Sequence, residues 1–321
     1  MKKILASLFA AALLLGVGAS AQAAYPDQPI TMLCAWDAGG GTDACARIVA
    51  TLMQQELGVP VNVVNRTGGS GAVGHQAMVS AKPDGYTLGL ASVEISMMHW
   101  MDIAKFTAKD FTGIAGVNFD PAGITVRFDA PWKDYKEFEA HVKANPGKIK
   151  NSGTGVGGIW HLAQGAWLTT IGLPADAISW IPSRGAAPAM QDLAAGGIDM
   201  SSCSLPEAAS MIEAKKARPL AIMADVRDPK YPDTPTLKEL GINVSAIGAW
   251  RGVVGPVGMP QDIVDKLEAV VSKVVQSKEF IDFMNGRGYG IQFMPAKEFT
   301  AFMAKADDAN GVIMKAAGLV K

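Results

Sequence analysis

Two glycine-rich turns gather the side chains of this 321-residue sequence that could bind or transform a small molecule. The first is Ala35–Asp43, AWDAGGGTD, where Trp36, Asp37 and Ala38 precede Gly39, Gly40 and Gly41, and Thr42 and Asp43 follow. The second runs Ser152-Gly153-Thr154-Gly155-Val156-Gly157-Gly158, with Trp160 and His161 just beyond it. A strand entering a helix through a turn without side chains leaves backbone N–H groups unpaired. The helix dipole adds partial positive charge at the same place, so such a turn can cradle an anion. A phosphate loop is not indicated, because G-x-G-x-x-G spacing is missing from the first turn and no Lys-Ser or Lys-Thr follows its glycines. A tight structural turn is the plain alternative.

Other polar residues fall near the same strand ends. Ser92 and Glu94 close a third strand, Arg184 sits in the turn Ser183–Ala187, and Cys203 ends a later strand. Arg184 could pair bidentately with a carboxylate, or be a solvated turn residue. Arg251, beside Trp250, has the same two readings. Asp37 and Glu94 beside an anion cradle would discourage a bare polyanion. They favour a carboxylate that also carries an amine or hydroxyls. Trp36, Trp160 and Trp250 could wall a pocket or simply be core. His161 could donate to an anion, or pack and cap neighbouring backbone. Ser92, Glu94, His161 and Cys203 could in principle supply a nucleophile and base, but no nucleophile elbow, zinc motif or carboxylate pair spaced for catalysis is visible. No enzyme activity, cofactor or metal is therefore expected.

The elements that position these residues alternate. Ile30–Cys34 reads as a strand, a helix starts near Thr42 and runs to Leu57, and Val61–Val64 is a strand. A helix ending by Lys82 and the strand Tyr86–Ala91 follow. This β-α-β-α-β order predicts a parallel sheet with its ligand at the strands' carboxyl ends. A second block repeats it: strand Ile124–Val126, helix Trp132–Ala144, strand Ile149–Ser152, the second glycine turn, helix Ile159–Ile171, strands Ile178–Ile181 and Ile198–Cys203, with a helix Pro188–Ala195 between them. A strand Leu220–Ala224, extended chain Trp250–Gly255, and amphipathic helices Asp262–Ser277 and Ala296–Ala316 complete the reading. Two such blocks fit a two-lobed trap that closes on a solute.

Met1-Lys2-Lys3, the apolar run Ile4–Val17 and Ala21-Gln22-Ala23 form a secretory signal peptide with its cleavage site. The mature chain is expected to be periplasmic and soluble, with no lipid anchor, since no Cys follows the cleavage point. Net charge −1 without a basic stripe argues against nucleic acid as a partner. Cys34, Cys45 and Cys203 form no disulfide framework; a Cys34–Cys45 bridge is conceivable, and buried free thiols are the simpler reading.

Motifs then recur in a recognisable order: Tyr25-Pro26-Asp27-Gln28-Pro29-Ile30, Ala38-Gly39-Gly40-Gly41-Thr42-Asp43, Asn65-Arg66-Thr67-Gly68-Gly69 and Lys82-Pro83-Asp84-Gly85-Tyr86-Thr87. Ala144-Asn145-Pro146-Gly147-Lys148, His161-Leu162-Ala163, Gly185-Ala186-Ala187-Pro188-Ala189 and Pro232-Asp233-Thr234-Pro235-Thr236-Leu237 follow. The mature chain thereby resembles the Bug-type, or tripartite tricarboxylate transporter, family of extracytoplasmic solute receptors. The resemblance implies a type II periplasmic-binding-protein fold, α/β with two lobes, each a mostly parallel sheet flanked by helices and joined by two crossovers. The expected division is a signal peptide 1–23, lobe I 24–120 plus 245–321, and lobe II 121–244, with crossovers near Val117–Pro121 and Val244–Ala249. It further implies capture of a small carboxylate and its delivery to integral-membrane permease subunits; a monomer is expected, and Asp37 and Glu94 widen the expected ligand to an amino- or hydroxy-carboxylate. In the family the turns matching Ala38–Asp43 and Ser152–His161 grip one carboxylate from opposite lobes, partly through water. This sequence departs from the family at Ala35-Trp36-Asp37, Gly158, Trp160, Ser183-Arg184, Cys203 and Glu94, the positions expected to select the solute. A sensory receptor feeding a membrane kinase is the other reading.

Overall fold

Strand β1 (Ile30–Cys34) is almost wholly buried and pairs in parallel with β2 (Val61–Asn65) and β3 (Thr87–Ser92). Helix α1 (Gly41–Leu57) links the first two strands and α2 (Ala72–Val79) the next two. Ala46, Val49, Ala50 and Met53 repeat at i, i+3, i+4 and i+7, which lays one stripe of α1 on the core. That stripe shares a cluster with Leu267, Val271 and Val274 of α7 (Gln261–Gln276). Each such buried aliphatic side chain stabilises by about 1.5–3 kcal/mol. The computed structural model describes residues 25–244 and 247–320. The expected signal peptide and part of the second expected crossover lie outside the described residues.

The first sheet is completed by β4 (Phe111–Pro121), β10 (Gly248–Pro256) and β11 (Ile291–Pro295), in the order β11-β4-β10-β3-β1-β2. The second contains β5 (Gly123–Arg127), β6 (Lys150–Ser152), β7 (Ser179–Trp180), β8 (Met200–Ser201) and β9 (Ala217–Ile222), in the order β7-β6-β8-β5-β9. Its helices are α3 (Tyr135–Ala144), α4 (Ile159–Thr170), α5 (Ala186–Ala195) and α6 (Leu205–Glu213). The C-terminal helices of the first sheet are α7, α8 (Lys278–Arg287) and α9 (Ala296–Ala316). The result is a two-lobed α/β molecule.

The sheets are mixed rather than mostly parallel. Parallel pairing is confined to β2-β1-β3 and β7-β6-β8, while β10 runs antiparallel to β3 and β4, β11 to β4, and β5 to β8 and β9. The crossovers cause this. The chain leaves the first sheet along β4 and enters the second along β5, and β10 carries it back against the direction in which β4 left. A backbone bond from Ala122 N to Ile247 O at 2.8 Å ties the two crossings together, and one from Met223 N to Ala122 O, also 2.8 Å, ties the first to the end of β9. Strands β4 and β11 and helices α6 and α8 were not among the elements expected from sequence. Strands β7 and β8 are shorter than expected, and the strand they both pair with in parallel, β6, is itself only three residues long.

Candidate functional site

The first glycine turn is held from behind. Gly39 has φ +84°, left-handed backbone that glycine adopts without strain, and its N–H donates to Asp43 Oδ2 at 2.9 Å. Arg47 Nε and Asn65 Nδ2 also donate to the Asp43 carboxylate, each at 2.9 Å. Burial works against that charge, but these bonds prevail and hold Asp43 below the usual carboxylate range. Asp43 thus braces the turn, and α1 begins after Gly40, which offers it no side-chain cap. The first-turn amides of α1 are left facing the cleft.

The second turn packs against the first lobe. A Cβ on Gly155 would lie 2.0 Å from Ser70 Oγ, and one on Gly157 would lie 1.9 Å from Met101 Sδ. Ser70 Oγ donates to Val156 O at 3.2 Å. His161 is turned inward: its Nδ1 accepts the Gly157 amide at 3.0 Å and its ring stacks on Trp180 at 4.6 Å. Burial lowers its pKa to about 4, so the ring is neutral.

Between the turns runs a relay of hydrogen bonds. Trp36 Nε1 donates to Ser92 Oγ at 2.9 Å, and Ser92 Oγ donates to Glu94 Oε2 at 2.6 Å. Glu94 Oε1 accepts the Ile159 amide at 3.2 Å. A carboxylate of the first lobe therefore sits on the N-terminus of α4 in the second. Burial pushes the Glu94 carboxyl up, against the pull of Ser92 and the Ile159 amide. At the rim, Arg184 Nε meets Asp37 Oδ2 at 3.1 Å, a solvent-screened pair bridging the lobes.

Arg251 is the charged centre. It lies opposite Ser92 on β3 and Asn118 on β4, and the register of β10 against β4 slips immediately after it. Such irregularities re-aim side chains beside functional sites. Only 1% of its side chain is exposed, yet every guanidinium nitrogen is bonded. Nε donates to Thr42 Oγ1 at 3.0 Å, Nη1 to Asn118 Oδ1 and Asp120 Oδ2 at 2.5 Å each, and Nη2 to Glu207 Oε1 at 2.8 Å. Glu207 comes from α6 of the second lobe and reaches the start of α1: a Cβ on Gly41 would lie 2.5 Å from Glu207 Oε1. Burial outweighs Arg251 and pushes Glu207 up to about 7.

These groups enclose a cavity of about 20 Å³, room for roughly one water-sized body. Trp36, Asp37, Gly40, Gly41, Thr42, Ser92, Glu94, Thr154 and Trp160 line it, together with Ile159, Gly185, Ala186, Glu207, Ala249 and Arg251. Of the residues singled out from sequence, Ala38, Gly39, Asp43, Ser152, Gly155, Gly157, His161, Arg184 and Cys203 stand behind or beside that wall. Ser152 O accepts the Ser201 hydroxyl at 3.1 Å, and Cys203 is buried beside Ser201. All three cysteines are free and buried. Sequence reading missed Asn118, Asp120 and Glu207. Ser204-Leu205-Pro206-Glu207 does carry a helix-start signature, S-x-x-E with an early proline, which could have located Glu207. No group of three or more His, Cys, Asp or Glu among the described residues is placed to hold a metal ion.

The model of a family described as tripartite tricarboxylate transporter family receptor matches residues 45–319. The chain belongs to this family. A relative of the receptor from Cupriavidus necator, "UPF0065 protein in gbd 5'region", is 31% identical over 99% of this chain and 96% of its own. Among solved structures, a TctC solute-binding protein from Polaromonas with no ligand is 34% identical, covers 91% of this chain and 99% of its own, and superposes with a TM-score of 0.67. MatC from Rhodopseudomonas palustris with bound malate is 25% identical, covers 90% of this chain and 99% of its own, and reaches a TM-score of 0.82. Members of the tripartite tricarboxylate receptor family are solute-binding receptors rather than enzymes, and no helix among the described residues is long and apolar enough to cross a membrane.

Proposed function

We propose that this receptor captures a small carboxylate-bearing solute between its lobes in the periplasm and delivers it to the membrane subunits of a tripartite transporter. The observation that carries the reading is the convergence of two helix N-termini, those of α1 at Gly41 and α4 at Ile159, on one cavity from opposite lobes. Helix N-termini favour negative charge, and the malate held by MatC is a carboxylate of the expected kind. Trp36 and Trp160 supply rigid apolar walls, and Thr42, Ser92 and Thr154 supply hydroxyls. We take lobe I as 24–120 plus 245–321 and lobe II as 121–244. A ligand site usually needs hundreds of cubic ångströms, about 300–1,000 Å³, so the lobes must part to admit the solute.

Thermal-shift screening of residues 24–321 against mono-, di- and tricarboxylates and amino acids tests this. A ligand of the folded state raises the midpoint by mass action. At least one carboxylate is expected to do so at millimolar concentration or below. Midpoints unmoved by every carboxylate would overturn the reading.

A further inference from the structure

Each helix start at the cleft already has a glutamate of the opposite lobe beside it, and the two glutamates are not equally satisfied. Both oxygens of Glu94 have donors, Ser92 Oγ and the Ile159 amide. Glu94 therefore uses the N-terminus of α4, leaving the amides of α1 as the helix start able to take a solute carboxylate. Glu207 is different. Its Oε1 is bonded to Arg251, but Oε2 makes no hydrogen bond of good geometry among the described residues, although the side chain is only 5% exposed and lines the cavity. Burial raises the carboxyl, and besides Arg251 the hydroxyl and amide of Ser204 at the start of α6 draw it down. A buried carboxylate oxygen without a donor is costly.

The charge around it points the same way. Among the described residues Arg251 is the single cation lining the cavity, and Glu207 shares it with buried Asp120, whereas Asp37 has Arg184 at the rim and Glu94 has its own two donors. The closed site is short of positive charge and of one hydrogen-bond donor, both at Glu207. One group on a solute, an ammonium or a primary amide nitrogen, would supply the donor, and an ammonium would also supply the charge.

Resting on the reading of the cleft as a carboxylate trap, we propose that Glu207 selects solutes that carry a single carboxylate and a donor nitrogen. The carboxylate sits on the α1 amides beside Thr42, and the nitrogen donates to Glu207 Oε2. A plain dicarboxylate puts its second charge against Glu207, where repulsion and a missing donor reject it. The Arg251–Glu207 bond joins the two lobes, so it holds the acceptor in place as the lobes close on the solute.

The test is titration calorimetry with ω- and α-amino acids, each matched to the alkanoate and the diacid of the same carbon chain. In the wild-type protein the aminated member of the best-fitting set is expected to bind at least tenfold more tightly than its diacid. In Glu207→Gln, which keeps the shape and the Arg251 contact, that preference should fall at least tenfold while the alkanoate changes little. A diacid that binds wild type as tightly as its amino counterpart overturns the proposal and leaves the carboxylate receptor standing. So does an amino preference that survives in Glu207→Gln. Failure of every carboxylate to bind overturns both. The matched comparison in wild type decides the issue even if the variant does not fold.

Discussion

Arg251 spends its whole guanidinium on the protein. Four acceptors from Thr42, Asn118, Asp120 and Glu207 surround it, and two of them are buried carboxylates. Removing one partner of a buried ion pair costs far more than the pair contributes, because the other charge is stranded. Arg251→Met is therefore expected to lower stability by about 3–5 kcal/mol, measured by denaturant unfolding. Arg251→Lys should recover little of it, since one ammonium cannot match a four-way planar fork. The loss carries a pH signature. Glu207, already raised from the ordinary 4.5 to about 7, titrates higher still without its cation. The folded state then holds protons that the unfolded state has released, so the variant's stability falls as pH rises from about 4.5 through 7 and beyond. A deficit independent of pH would contradict this picture.

At the scale of elements, the second glycine turn serves contact between lobes. Gly155 stands so near Ser70 that a side chain there would strike Ser70 Oγ, and beyond it Ser70 Cα at 3.0 Å. Its backbone is not in the left-handed region, so a larger residue is tolerated within its own lobe. Gly155→Val is expected to leave the unfolding midpoint within about a degree of wild type and to weaken solute binding at least tenfold, as judged by calorimetry. Equal affinity would mean that the turn does not close on Ser70. The same scale explains what sequence could reveal. Helix α1, its glycine turn and the strands on either side are local: spacing, capping and punctuation lie within about thirty residues, and the reading placed them well. Strand β4, by contrast, is buried on both faces and interrupted by Gly113 and Gly116, so it shows no alternation to read. Helix α6 is nine residues long and opens with Leu-Pro. Losing those two elements meant losing Asn118, Asp120 and Glu207. The Arg251 cluster joins residues 131, 133 and 44 positions away, and no local periodicity encodes such distances.

At the scale of the molecule, the lobes meet through polar contacts around a small cavity and through an apolar cluster in which Met97, Met98 and Met314 of the first lobe join Trp160, Leu162 and Trp167 of the second. The crossover strands that join them are where a hinge would turn. Solution scattering of the solute-free protein should fit an opened arrangement of the lobes better than this one, and saturating solute should reduce the radius of gyration. A curve matching this structure before and after addition would exclude a hinge between two populated states.

Trp36 and Trp160 face one another's lobes across the cavity, and the Trp36 indole nitrogen is fixed on Ser92. An indole whose surroundings change from water to a dry wall changes its emission. The protein therefore carries its own optical gauge of occupancy, readable without a label, and a Trp36→Phe copy would show how much of a signal shared by seven tryptophans comes from the cleft wall of the first lobe.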